Sequence, residues 1–233
     1  MQGYAGFLTD VVTLAHESAY AVHYRLLYKA GVPWFYSDRA RYFTEEFAKV
    51  NELLILDELA KFSKSQADQL FYLREWCSKL ASVNFASMYW TAYATTFETE
   101  VYRRIQSGTV KSSDAIHEVW AEFGTLWTRD FDKLRDNKYS WAGTHHFFDA
   151  SRYYSNYLFA WVLAASVYEH LQQDPAFAGK VVKLMEAGFS EDPAVMLRTY
   201  LGIDLGDSKS LERVFSLVEE RLAEFERHVY SRP

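Results

Sequence analysis

Cysteine, proline and glycine are scarce in this sequence, and each scarcity excludes something. The single cysteine, Cys77, cannot form an internal disulfide, which suits a reducing compartment. Four prolines and ten glycines in 233 residues fall far below collagen-like or low-complexity chains, and so few breakers argue against a turn-rich β architecture. Positive charge is neither abundant nor clustered. Lys and Arg number 25 against 31 Asp and Glu, a net charge of −6, and no basic run exceeds Arg103-Arg104. That pattern lacks the basic footprint of a nucleic-acid binder. Long apolar runs are missing too: the longest, Tyr157 to Tyr168, has 12 residues and is too short to cross a bilayer. No basic segment followed by an apolar stretch opens the chain, so no signal peptide is read. The expected setting is cytoplasmic, with neither membrane nor nucleic acid as a partner.

Aromatic residues are abundant: 7 Trp, 17 Tyr and 17 Phe, or 18% of the chain. Side chains of this size form cores, which excludes intrinsic disorder. The length favours one compact domain over residues 1–233, large enough to bury a core without disulfides or structural metals.

Apolar periodicity and capping residues predict helices throughout. Thr9 or Asp10 can cap a first helix that Gly31-Val32-Pro33 ends, and a second runs from about Arg39 to Lys61. The 41 residues from Gln66 to Gln106 contain no Gly or Pro, which suggests one long helix or two in line. A fourth opens at Ser112-Ser113-Asp114 and fades at Asp136-Asn137, before a looser aromatic stretch from Tyr139 to Phe148. Ser151 to Gln173 is a fifth, Asp174-Pro175 starts a sixth, and shorter helices follow near 192–201 and 208–229. No β alternation exceeds four residues and no repeat is visible, so the expected fold is an all-α, multi-helix bundle.

On the first helix His16, Tyr20, His23 and Leu27 fall at i, i+4, i+7 and i+11 and share one narrow face, with Glu17 about 100° round from it. His followed by Glu, with a metal-binding residue one turn later, is the arrangement of the HExxH zinc motif. Here it reads His16-Glu17-Ser18-Ala19-Tyr20, with tyrosine at the second imidazole position. Taken alone, this stretch reads first as helix histidines packed in an aromatic core.

The rest of the chain shifts that balance. Leu14-Ala15-His16-Glu17 with Ala21-Val22-His23 resembles the active helix of the thimet oligopeptidase and oligoendopeptidase F family of zinc metallopeptidases. Glu45, 29 residues after His16, and Glu52, seven further on, match two glutamates of that family. Phe97-Glu98 and Tyr102 resemble its third-helix pattern, and His146-Phe147-Phe148 with Tyr153-Tyr154 and Tyr157 resembles its substrate-binding His and tyrosines. Ala187-Gly188-Phe189-Ser190, Pro193 and Leu201-Gly202-Ile203-Asp204 are similar to its C-terminal region.

The resemblance implies that His16 and Glu45 are metal ligands, Glu17 a general base, and His146 with Tyr153 or Tyr157 the contacts to the reaction's oxyanion or substrate. Glu98, Arg152 and Tyr154 are further candidate substrate contacts, with Arg152 able to pair with a carboxylate. Zinc is the implied cofactor. Tyr20 weighs against its being held, because a phenol must lose a proton to bind metal well, and His23 could take its place only by a shifted geometry. Fifteen residues precede His16, too few for the upstream lobe that the resemblance implies. Either a second copy or a partner chain covering the open cleft, or a domain that has closed up differently, is therefore expected.

Two functions follow. One is a peptidase-like domain with a degenerate zinc site, binding a peptide or small molecule with little hydrolysis or with altered chemistry. The other is an active metal-dependent oligopeptidase, completed by a partner subunit. A carboxylate-bridged di-metal bundle fits poorly, since no Glu is followed by His at i+3.

Overall fold

The structure is a computed structural model that describes residues 4–37, 41–82, 84–127 and 137–230. It is helical, with no strand among the described residues. Among the described residues ten α-helices follow in order: α1 Leu8–Lys29, α2 Arg41–Lys61, α3 Gln66–Ala81, α4 Met88–Gln106, α5 Ser113–Trp127, α6 His146–Asp149, α7 Tyr153–Gln173, α8 Ala178–Ala187, α9 Pro193–Met196 and α10 Ser208–Tyr230. None of the described helices is long and apolar enough to cross a membrane. The chain forms two compact units, one from residues 1–81 and 159–233, the other from 82–158.

Local chemistry moves several boundaries from their expected places. The first helix starts at Leu8, with Asp10 in its first turn and not at the cap: the Asp10 carboxylate accepts the backbone N–H of Ala5 (2.8 Å) and of Phe7 (3.0 Å). The Gly-free span 66–106 is two helices, not one. Ser87 caps α4 by accepting the Trp90 N–H at 3.1 Å while its own hydroxyl donates to the Ser82 carbonyl at 2.6 Å. The expected tail of the fourth helix, 128–136, lies outside the described residues. The aromatic stretch 139–148 becomes a 3-10 segment, Asn137–Gly143, followed by the single turn α6.

In the first unit α1 packs antiparallel on α2, since Ala15 pairs with Asn51 and His23 with Phe47. Helix α2 in turn packs on α3, α3 on α10, and α1 on α8. The core joins Phe43, Phe47 and Ala48 of α2 to Leu163, Ala164 and Val167 of α7 and to Leu184, Phe189, Met196 and Leu201. Each fully buried leucine here stabilises the fold by about 1.5–3 kcal/mol relative to exposure. Gly188 ends α8 at φ +60°, where the Phe189 N–H donates to the Tyr36 carbonyl at 2.8 Å. A Cβ on Gly188 would stand 2.7 Å from the Val32 Cγ1 atom, so the close approach of two backbones requires glycine.

The second unit has its own aromatic core: Tyr93, Phe97 and Val101 of α4, Val119 and Trp120 of α5, and Trp141. Its polar tips are satisfied. The Tyr93 hydroxyl donates to the Trp120 carbonyl (3.1 Å), the Trp120 indole to Ser140 Oγ (3.0 Å) and the Trp141 indole to His117 Nδ1 (2.8 Å).

Candidate functional site

Helix α1 presents His16 toward α2, where Glu45 and Glu52 lie two turns apart, so antiparallel packing brings one imidazole to two carboxylates. His16 Nδ1 is 2.7 Å from Glu52 Oε1, and Nε2 is 3.8 Å from Glu45 Oε2. Tyr20, one turn on, places its hydroxyl 3.2 Å from the same Nε2. Glu45 Oε2 is buried and accepts no hydrogen bond.

Glu52 is the most heavily partnered group of this cluster. Its Oε2 accepts from Lys79 of α3 at 2.6 Å, and Lys49 lies 3.8 Å from Oε1. Burial alone would raise its carboxyl, but the hydrogen bond to His16 and the charges of Lys49 and Lys79 outweigh burial and hold it down at about 2. Glu52 is thus ionised and acts as an acceptor. In the neutral ring the His16 proton sits on Nδ1, leaving the Nε2 lone pair for the Tyr20 hydroxyl. Lys49 is buried with its ammonium 4.2 Å above the Trp161 ring. Burial lowers its pKa, while Glu52 and Glu45 oppose the change.

The other sequence candidates on α1 stand apart from this group. Glu17 is exposed. His23 is only 1% exposed and packs against Phe47 and Tyr24 at 4.9 and 5.7 Å between ring centroids. It occupies the core two turns along from His16.

A second constellation lies within the unit 82–158. The His146 ring stands 4.3 Å from Tyr153, 5.5 Å from Tyr154 and 6.0 Å from Tyr157, and all but Tyr154 are half-buried. Tyr154 is 1% exposed, edge-on to Trp90 and Phe147. Its hydroxyl has no hydrogen-bond partner, and burial with the nearby Glu98 charge pushes it up to about 12. Glu98 holds the turn into α7: its Oε1 accepts the Arg152 backbone N–H at 2.7 Å and the Tyr102 hydroxyl at 3.1 Å. Arg152 sits at φ +59°, a conformation that costs a non-glycine residue about 1 kcal/mol or more, and its side chain is exposed.

The sequence profile of peptidase family M3 matches residues 7–216. The chain belongs to peptidase family M3. This M3 chain is 24% identical to an oligoendopeptidase F homolog of Lactococcus lactis subsp. lactis over 226 residues, and 24% identical to the group B oligopeptidase PepB of Streptococcus agalactiae over 230 residues. Each match covers 95% of this chain and 36% of the relative, so the M3 chain spans about a third of the length of the curated relatives it matches. The crystal structure of oligoendopeptidase-F from Enterococcus faecium superposes with a TM-score of 0.76 at 18% identity, over 95% of this chain and 39% of that one. That likeness is one of fold and agrees with the all-α reading.

Family M3 implies a zinc ion, and the residues here fit a cation in part. The orphaned buried oxygen of Glu45 beside His16 Nε2, with Nδ1 braced by a carboxylate, is the surrounding a bound cation would complete. Among the described residues no three His, Cys, Asp or Glu side chains stand ready for one ion, because the third near donor is the Tyr20 phenol. Sequence reading missed Lys49, Lys79 and Glu46. Lys49 is legible afterwards as the i−3 neighbour of Glu52, whereas Lys79 reaches the cluster from another helix and no spacing signals it.

Proposed function

We infer that this M3 domain binds a peptide or small molecule and hydrolyses it little or not at all. The observation that carries the reading is the Tyr20 hydroxyl 3.2 Å from His16 Nε2, where the motif would supply a second imidazole. Zinc, when bound, supplies Lewis acidity and a water of lowered pKa, and His16 and Glu45 would hold it. The chain's own contribution is orientation: Glu52, kept ionised by Lys79 and Lys49, fixes the His16 ring so that Nε2 faces Tyr20 and Glu45. A neutral phenol there binds metal poorly, and Glu17, exposed on α1, has less to act on as a base. His146, Tyr153 and Tyr157 offer a peptide stacking surface and hydroxyl donors, with Tyr154 behind them and the exposed Arg152 suited to a carboxylate. The names of the relatives, oligoendopeptidase and oligopeptidase, support peptides as the ligand class. Exposed Leu14, Val22 and Tyr28 on α1 support a covering partner chain or second copy, in a cytoplasmic setting.

Hydrolysis of a quenched fluorescent peptide by the zinc-treated protein and by Tyr20→His tests this. The variant is expected to cleave at least about tenfold faster, a barrier difference of about 1.4 kcal/mol. Equal rates would remove the reading. One observation favours the alternative of an active metal-dependent oligopeptidase, the unpartnered Glu45 Oε2. It requires activity that a chelator abolishes and that Glu17→Gln removes.

A further inference from the structure

We propose that the outer apolar stripe of α10 is a docking surface for a basic amphipathic helix of a partner protein. No residue of the stripe belongs to the candidate site, so the inference is independent of the function proposed above.

Helix α10 is apolar around more of its circumference than its neighbours cover. Val214 and Leu217 are its buried residues, and they share a face with Arg221. That face is turned to α3: the Arg221 guanidinium lies 4.7 Å from the Trp76 ring and donates to Asp57 of α2 at 2.8 Å, which holds the helix in place. About a quarter-turn round, Leu211, Phe215, Val218, Leu222, Phe225 and Val229 follow at alternating four- and three-residue steps. Leu211, Phe215 and Leu222 are 40%, 58% and 37% exposed, and the other three are half-buried. This alternation is the seam on which a second helix packs, and here it runs for about 27 Å, roughly five turns. A continuous apolar stripe of that length left in water marks an interaction site.

Charge decides what fills it. Glu212, Glu219 and Glu226 repeat every seven residues along one edge of the stripe. All three are exposed, and none has a hydrogen bond or ion pair among the described residues. The other edge, with Val214, Arg221 and His228, is already occupied. Arg221 is committed to Asp57 and Glu224 at 2.8 Å each, and the His228 carbonyl accepts from Gln66 of α3 at 3.3 Å. A second copy of α10 is opposed in both directions. In an antiparallel pair the two glutamate edges would meet each other, and in a parallel pair each would meet an edge turned into α3. A helix with aliphatic residues at heptad spacing and Lys or Arg along its flank matches both the stripe and the acidic edge.

The test uses a fluorescein-labelled synthetic helix of about three heptads, with leucine at the seam positions and lysine at the flanking ones, titrated with the full chain and followed by fluorescence polarisation. A second probe carries glutamate in place of lysine. The lysine probe is expected to bind one per chain and at least about tenfold tighter than the glutamate probe. Phe215→Ser should weaken it by about tenfold or more with an unchanged circular dichroism spectrum, since that ring is exposed. Replacing Glu212, Glu219 and Glu226 together by lysine should reverse the preference between the probes, a gain of binding that a misfolded variant would not show. No binding of the lysine probe, equal binding of both, binding that survives Phe215→Ser, or an unreversed preference overturns the proposal. So does a dimer in sedimentation equilibrium that Phe215→Ser dissociates, which would give the stripe to a second copy.

Discussion

Replacing Glu52 with glutamine isolates the charge that holds the candidate site together. The carboxylate is 6% exposed and bonded to His16 at 2.7 Å and Lys79 at 2.6 Å. Its folded value of about 2 lies below the ordinary 4.5. A gap of about 2.5 pH units, at 1.36 kcal/mol each, gives roughly 3 kcal/mol of stability from ionised Glu52. Since the folded value is depressed, that stability is fully present above pH 4.5 and is lost as pH falls toward 2. Glu52→Gln also leaves the buried Lys49 ammonium without the carboxylate 3.8 Å away, which deepens the loss. Urea unfolding at pH 7, followed by circular dichroism, should show the variant less stable by at least about 3 kcal/mol with an unchanged denaturant slope. Repeating the pair at lower pH should shrink the difference steadily below 4.5. A variant within about 0.5 kcal/mol of the parent at pH 7, or a difference that stays constant on acidification, refutes the account.

Glu46 behaves in the opposite sense: it is fully buried, neither carboxylate oxygen has a partner, and burial pushes its carboxyl well above the ordinary range. A raised folded value means that stability is lost as pH climbs above 4.5, by up to about 1.4 kcal/mol per pH unit while the folded form stays neutral. Glu46→Met should therefore raise the melting temperature at pH 7 and flatten its decline with pH, and a lower melting temperature would show that the carboxyl is favourably held. Gly188→Ala meets both a positive φ and the Val32 side chain, so a destabilisation of about 2–4 kcal/mol is expected by urea unfolding, and an unchanged midpoint would mean the 32–36 loop yields freely.

Helix content was legible in the sequence because it depends on local spacing. Periodic apolar residues with few breakers specify helices whatever packs on them. The boundary at 82–87 was not legible. It depends on Ser87 closing a capping bond to Trp90 and a second bond to Ser82, where propensity alone would continue the helix. His16, Tyr20 and His23 shared one face by periodicity, but only the packing of α2 against α1 decided their separate surroundings. His16 meets two carboxylates, whereas His23 meets Phe47, two turns along the same helix.

Glu45, Glu46 and Glu52 make the division plain. Sequence alone determined that three acidic residues sit on one helix. Tertiary structure decided their charge states, because ionisation of a buried carboxyl depends on which cations and donors surround it. Glu52 has two lysines and an imidazole, whereas neither oxygen of Glu46 has a hydrogen-bond partner and burial pushes its carboxyl well above the ordinary range. Glu45 keeps one buried oxygen aimed at His16, with no hydrogen bond to complete it.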